Sequence, residues 1–220
     1  MLTSTEENYL KAIYHLSEKN KFKEKIGTNM LAEHLHVKPA SANAMLKKLM
    51  AKQLVHYEKY GKTILSKEGK KVAIHIIRNH RLWETFLCGK LDFTWDEVHD
   101  IAEQLEHIKS DKLIDRLEAY LKYPLYDPHG DPIPSKTGSI PVQKAALLSD
   151  AHIGEQYKIN AVKDTSILFL KHLQKLHINI GTIIRLEEKI EFDHSVVIRI
   201  NKSECTLSYK FASCLVVEKI

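Results

Sequence analysis

Apolar residues recur at helical spacing from the start of the chain. In "STEENYLKAIYHLSE", Tyr9, Leu10, Ile13 and Leu16 share one face, and Ser4 with Glu7 has the spacing of a capping box. "TNMLAEHL" predicts a short second helix capped by Thr28. The turn "HVK" then leads to Pro39, suited to a first helical position, ahead of "ASANAMLKKLMAKQL". Two extended runs, "LVHYEKY" and "KTILS", flank Gly61. Helix, short turn, helix and hairpin together predict a winged helix-turn-helix.

Further on, "GKKVAIHIIRNHRLWETFLCGKL", "TWDEVHDIAEQLEHI" and "SDKLIDRLEAYLKYP" predict three more helices, with Thr94 and Ser110 capping the latter two. Trp83, Phe86 and Leu87 give them more apolar surface than one thin layer buries, so a homodimer is expected. "YPLYDPHGDPIPSKTGSIP" holds five of the six prolines and two glycines and reads as a loop and linker. After it the period changes. "QYKINAV", "TIIRLEE", "SVVIRIN", "CTLSY" and "CLVVEKI" predict short strands around one helix, "SILFLKHLQKL", the pattern of a small barrel. The fold class expected is mainly α with a small β domain, with boundaries at 1–70, 71–140 and 141–220.

Composition narrows the function classes. The net charge of +5 and a pI near 8.9 permit nucleic-acid binding without requiring it. Three cysteines with no CxxC spacing argue against a disulfide framework and a thiolate zinc finger. No apolar run reaches the ~18 residues of a membrane span, and "MLTSTEENYL" lacks a signal-peptide pattern, so a cytoplasmic protein with no membrane partner is expected. Neither a nucleophile motif nor a glycine-rich phosphate loop occurs, so the chain does not read as an enzyme.

If the second helix of the helix-turn-helix enters a major groove of double-stranded DNA, Ala42, Met45, Leu46 and Leu49 face the core. Pro39, Ala40, Ser41, Asn43, Ala44 and Lys47 are left outward. Ser41 and Asn43 can hydrogen-bond bases, and Pro39, Ala40 and Ala44 can touch thymine methyls. Lys38, Lys47, Lys48, Lys59 and Lys62 are candidate phosphate contacts, and Tyr60 at the wing tip can reach the backbone or minor groove. Taken singly, these lysines also suit an ordinary solvated face.

The chain has 13 histidines, and the stretch "EVHDIAEQLEHIKSD" concentrates two of them with glutamates. On a helix, His99, Glu103, Glu106 and His107 fall within a sector of about 100°, while Ile101, Leu105 and Ile108 lie opposite. Crowded carboxylates repel, which predicts a positive charge among them. His80 and Glu84 form a second i, i+4 pair on the preceding helix. With that helix alongside, His80, Glu84 and His99 can converge on one ion, and Glu103, Glu106 and His107 on another. Histidine with several carboxylates suits a fairly hard divalent cation such as Mn²⁺ or Fe²⁺. Two other readings stay open on the residues alone: a winged-helix regulator that needs no metal, and a carboxylate-bridged metalloenzyme in a helical bundle.

"TSTEENYLKAIYHL", "HVKPASANAMLKKL", "RNHRLWETFL", "EVHDIAEQLEHIKSD" and "DPHGDPIP" resemble the diphtheria toxin repressor and manganese transport regulator family along essentially the whole chain. The resemblance implies a winged helix-turn-helix, a helical dimerisation domain and a C-terminal SH3-like domain of the FeoA type. It implies Mn²⁺- or Fe²⁺-activated operator binding that represses metal-uptake genes. By motif, His80, Glu84 and His99 match ancillary-site ligands, and Glu103, Glu106 and His107 match primary-site ligands. Glu103 stands where the iron-responsive branch has cysteine, which brings the set closer to the manganese branch. Asp127 stands where some three-domain manganese regulators have a cysteine ligand, and Asp164 is a further candidate from the C-terminal domain. Asn8 occupies a position that is Asp or Met in characterised branches, and Lys11 replaces a glutamate of the two-domain manganese branch. Separate primary and ancillary sites therefore fit better than a binuclear one.

Overall fold

A computed structural model describes residues 1–19, 26–58, 62–141 and 146–220. The chain divides into two compact units: residues 1–80, 103–114 and 134–140, and residues 81–102, 115–133 and 141–220. No helix among the described residues is long and apolar enough to cross a membrane.

The first unit begins with α1 (Ser4–Lys19), β1 (Ile26–Gly27), α2 (Thr28–His34) and α3 (Pro39–Ala51), followed by the hairpin β2 (Val55–Glu58) and β3 (Lys62–Leu65). The strands pair antiparallel in the order β1-β3-β2, with Val55 opposite Leu65 and Ile26 opposite Thr63. This is the winged helix-turn-helix. Its core is the apolar face read from spacing: Leu10 and Ile13 of α1, Leu31 of α2, and Ala42, Leu46 and Leu49 of α3, all fully buried. Each large side chain of this kind contributes about 1.5–3 kcal/mol relative to exposure.

Three end-signals differ from the sequence expectation. The capping box of α1 is Thr3 with Glu6, through Thr3 N to Glu6 Oε2 at 2.9 Å and Glu6 N to Thr3 Oγ1 at 3.3 Å. That one-residue shift leaves the Glu7 carboxylate outside the cap. Helix α2 is capped by Gly27 with no side-chain bond, so Thr28 is its first helical residue rather than its cap. Helix α4 (Lys67–Leu91) starts ahead of Gly69 because Ser66 Oγ accepts from Gly69 N at 3.0 Å. A Cβ at Gly69 would lie 2.0 Å from the Leu54 carbonyl oxygen, so this close approach requires glycine.

Helix α5 (Val98–Leu105) is shorter than its apolar spacing suggested, and α6 (Asp111–Tyr120) follows with Ser110 Oγ accepting from Leu113 N at 3.4 Å. Thr94 meets Glu97, with Oγ1 to Oε2 at 2.7 Å, in the turn before α5.

In the second unit β4 (Ala146–Leu147), β5 (Gln156–Val162), β6 (Ile183–Lys189), β7 (Val196–Ile200), β8 (Ser203–Leu207) and β9 (Leu215–Lys219) form an antiparallel sheet ordered β4-β9-β5-β6-β7-β8. Helices α7 (Ile167–Lys175) and α8 (Tyr209–Ala212) complete it. Phe169, Leu170 and Leu173 of α7 pack into the core with Ile159, Ile184, Leu186 and Ile198. Register shifts at Ile159/Ala161 and Leu186/Glu188 mark bulges, which bend strands.

The first bulge receives the "DPHG" turn. Val162 N donates to His129 O at 3.0 Å, and Gly130, at φ +86°, packs so closely that a Cβ would lie 1.9 Å from the Asn160 carbonyl oxygen. Strand β5 thus fixes where Asp127 and His129 stand.

Candidate metal centres and nucleic-acid interface

Within the first unit, α1 presents Glu7, Asn8 and Lys11 within about one turn. The chain leaves α5 after Leu105, so Glu106 and His107 occupy a turn and not the helix face expected for them. Freed of helical direction, His107 Nδ1 reaches Glu7 Oε2 at 2.6 Å, while its Nε2 lies 3.6 Å from Glu106 Oε1. His80 Nδ1 meets Glu106 Oε2 at 2.6 Å, and Asn79 Nδ2 donates to the Glu106 carbonyl at 3.2 Å. One ligand atom from each of His80, Glu103 and Glu106 lies within 4.8 Å of the others.

The positive charge predicted for this cluster is Lys11. Its Nζ lies 2.6 Å from Glu103 Oε1, and 2.6 and 2.9 Å from the two oxygens of the buried Glu106. Lys109 Nζ stands 3.7 Å from Glu7 Oε1 and donates to the Leu2 carbonyl. The Asn8 side-chain oxygen is buried with no hydrogen-bond partner, an acceptor in want of a cation or donor. Imidazole, carboxylate and amide oxygen are donors that fit a hard divalent ion.

A second cluster lies in the second unit. Glu84, Asp127 and His129 are all buried, with ligand atoms within 4.8 Å of one another. His129 Nδ1 is 3.7 Å from Glu84 Oε2, and His99 Nδ1 is 3.5 Å from Glu84 Oε1. The other ring nitrogen of His129 meets the Trp95 carbonyl at 2.8 Å, and its ring stacks on Trp95. An outer partner of this kind is what orients the imidazole in metal-bound histidines.

Asp127 Oδ1 accepts from His129 N at 2.8 Å and Asp131 N at 3.0 Å, with Arg81 Nε 3.6 Å from Oδ2. Burial, then the charges of Asp131 and Glu84, push the Asp127 carboxyl well above the usual carboxylate range. Burial opposes charge on His129, but the hydrogen bond and charge of Glu84 outweigh it and raise the imidazole. Two buried carboxylates and an imidazole with ligand atoms so close together also fit a divalent cation.

Asp164, the candidate from the C-terminal domain, accepts from Ser166 N at 2.8 Å at the start of α7. It belongs to none of the ligand clusters among the described residues.

The sequence reading missed Glu7 and His129 as candidate donors. The capping-box spacing assigns Glu7 to the cap, whereas its i, i+4 relation to Lys11 is the signal for the cluster. His129 stands two residues from Asp127, a D-x-H spacing inside a motif already singled out.

On α3, Pro39, Ala40, Ser41, Asn43, Ala44, Lys47 and Lys48 are exposed, as are Lys38 before it and Lys62 on β3. Lys59 and Tyr60 lie outside the described residues. Glu6, fully buried, binds the far end of α3. Its Oε1 is 3.1 Å from Lys48 Nζ and 2.7 Å from Lys52 Nζ. The Lys52 hydrogen bond, then Thr3 N, hold its carboxyl down at about 2 despite burial.

A winged helix-turn-helix joined to clustered His and Glu donors defines a metal-binding regulator of the DNA-binding class. Residues 1–63 match the model for the iron dependent repressor N-terminal DNA binding domain. Residues 66–135 match that for the iron dependent repressor metal binding and dimerisation domain, and residues 146–219 the FeoA domain. The chain is 30% identical over 230 residues to the diphtheria toxin repressor of Corynebacterium glutamicum, covering 100% of this chain and 98% of that one. A solved manganese-dependent transcriptional repressor in complex with manganese superposes with a TM-score of 0.85 at 32% identity, covering 98% of this chain and all of that one. The chain therefore belongs to the diphtheria toxin repressor family. A probable metal transport system membrane protein of Chlamydia trachomatis shares 44% identity over 73 residues, and the chain spans 16% of its length.

Proposed function

We propose that the chain is a cytoplasmic, homodimeric, divalent-metal-dependent repressor that binds operator DNA of metal-uptake genes, with Mn²⁺ or Fe²⁺ as its effector. One observation carries this reading: α1 holds both ends of a connection inside the first unit. Its Glu7 and Lys11 contact the 103–107 stretch, and its Glu6 grips Lys48 of the recognition helix α3 and Lys52 just after it.

The metal would be held by Glu7, Glu106 and His107, with His80, Glu103 and Asn8 beside them, and by Glu84, Asp127, His129 and His99 in the second unit. A bound cation supplies positive charge that draws the carboxylate and imidazole donors together. The chain's own residues do the rest. Glu7 and Asn8 set the position of α1, α1 sets Glu6, and Glu6 sets the end of α3. Two α3 helices in a homodimer must meet successive half-sites, so small changes at α1 are read as affinity. The effector's leverage equals its differential affinity for the two arrangements, and DNA tightens metal binding by the same factor.

The test is anisotropy on duplexes selected from a random pool with Mn²⁺, repeated with Fe²⁺ and with EDTA. Binding is expected to tighten about tenfold or more with metal. Glu106→Ala and His107→Ala should abolish that gain. Equal affinity in EDTA would instead indicate a metal-independent regulator.

A further inference from the structure

No described residue of the C-terminal barrel belongs to the Glu84, Asp127 and His129 cluster, yet the barrel closes on it from two sides. Trp95, in the turn before α5, packs its side chain against the barrel's apolar core, and Asp96 Oδ1 accepts from Gln174 Nε2 of α7 at 3.0 Å. Two successive residues of that turn are thus held by the barrel. On the other side, β5 holds the backbone of His129, whose carbonyl accepts from Val162 N. The imidazole between them is 3% exposed and stacks on Trp95 with an interplanar angle of 9°. With so little access for water, its protein partners decide the state of the ring. A backbone carbonyl only accepts, so the Nε2 nitrogen 2.8 Å from Trp95 O must carry a proton. Nδ1, facing Glu84 Oε2 at 3.7 Å, is then the ring nitrogen with a lone pair to give.

We propose that Trp95 is a positioning residue through which the C-terminal barrel shapes this centre. The barrel holds Trp95, and Trp95 commits His129 to ligation through Nδ1, so the barrel acts as a scaffold and Asp164 supplies no ligand here. That a divalent ion is ligated rests on the metal-repressor reading; the fixed ring does not.

Long-range ¹H–¹⁵N NMR of the histidine-labelled full-length chain reads which ring nitrogen carries a proton, with Zn²⁺ as a diamagnetic probe and His129→Gln to assign the signal. In the wild type, Zn²⁺ should shift Nδ1 of His129 and leave Nε2 protonated. Trp95→Ala should give a mixture of ligating nitrogens and weaken Zn²⁺ at this signal about tenfold or more. Trp95→Phe, which keeps a ring to stack, should restore the single mode, and Asp164→Ala should change nothing. If Trp95→Ala does not fold, Gln174→Ala, which releases Asp96 alone, should weaken Zn²⁺ in the same sense. Ligation through Nε2 in the wild type overturns the proposal, as does unchanged binding in the Trp95 and Gln174 variants or loss of this signal's response in Asp164→Ala. If Zn²⁺ leaves the His129 signals unmoved, the metal reading of this centre fails and the metal-free spectra decide the ring. An Nε2 proton that exchanges slowly in the wild type and faster in Trp95→Ala sustains the positioning role; equal exchange ends it.

Discussion

Replacing Glu6 by glutamine keeps the shape of the side chain and its acceptor for Thr3 N but removes the charge that holds Lys48 and Lys52. The magnitude follows from the carboxyl itself. Its displacement from an ordinary 4.5 to about 2 corresponds to about 3.4 kcal/mol, at about 1.4 kcal/mol per pH unit. Glu6 is fully buried, but Lys48 and Lys52 are 53% and 36% exposed, so water screens their end of the interaction. About 1–2 kcal/mol is the expected loss at pH 7. The sign fixes the pH dependence. A carboxyl lowered by folding stabilises the protein above its unfolded value near 4.5, and the contribution fades as pH falls towards 2. Urea denaturation of wild type and Glu6→Gln should therefore show a gap at pH 7 that narrows steadily below pH 4.5. A Lys52→Met background should remove most of the gap, because Lys52 is the largest influence on the carboxyl. A gap that is absent at pH 7, or that persists unchanged towards pH 2, would refute the reasoning.

The second unit offers a test of backbone packing. Gly130→Ala should cost about 3 kcal/mol or more in urea denaturation, because its φ is +86° and the new Cβ would meet the Asn160 carbonyl at 1.9 Å and Ala161 Cα at 2.5 Å. A variant as stable as wild type would show that this close approach is not required. On α3, Lys47→Ala should weaken binding evenly across duplex sequences and lower the salt slope by about 1, whereas Asn43→Ala should relax preference at one base pair at about 1–3 kcal/mol. Anisotropy across salt concentrations and single-base variants separates them. The reverse pattern would mean that α3 does not lie in the groove as its exposed face suggests.

The sequence by itself determined the elements whose signal is periodic and local. Ala42, Leu46 and Leu49 recur at helical spacing behind Pro39, and burying that stripe makes α3. Alternation in "QYKINAV" places Tyr157, Ile159 and Ala161 on the buried face of β5. The crowding of carboxylates around Glu103 and Glu106 also announced a cation before any fold was known. Tertiary structure decided what that cation is and who shares the site. Lys11 and Glu103 are 92 residues apart, and Glu7 and His107 are 100 apart. No local spacing joins such groups; only the burial of α1 in the first unit does. Likewise Glu6 rather than Glu7 closes the cap of α1, because the capping carboxylate also reaches Lys48 on another helix and Lys52 just beyond that helix. Period and propensity are properties of neighbours along the chain. Ligation and charge pairing belong to neighbours in space, and those exist only once apolar faces have closed on one another.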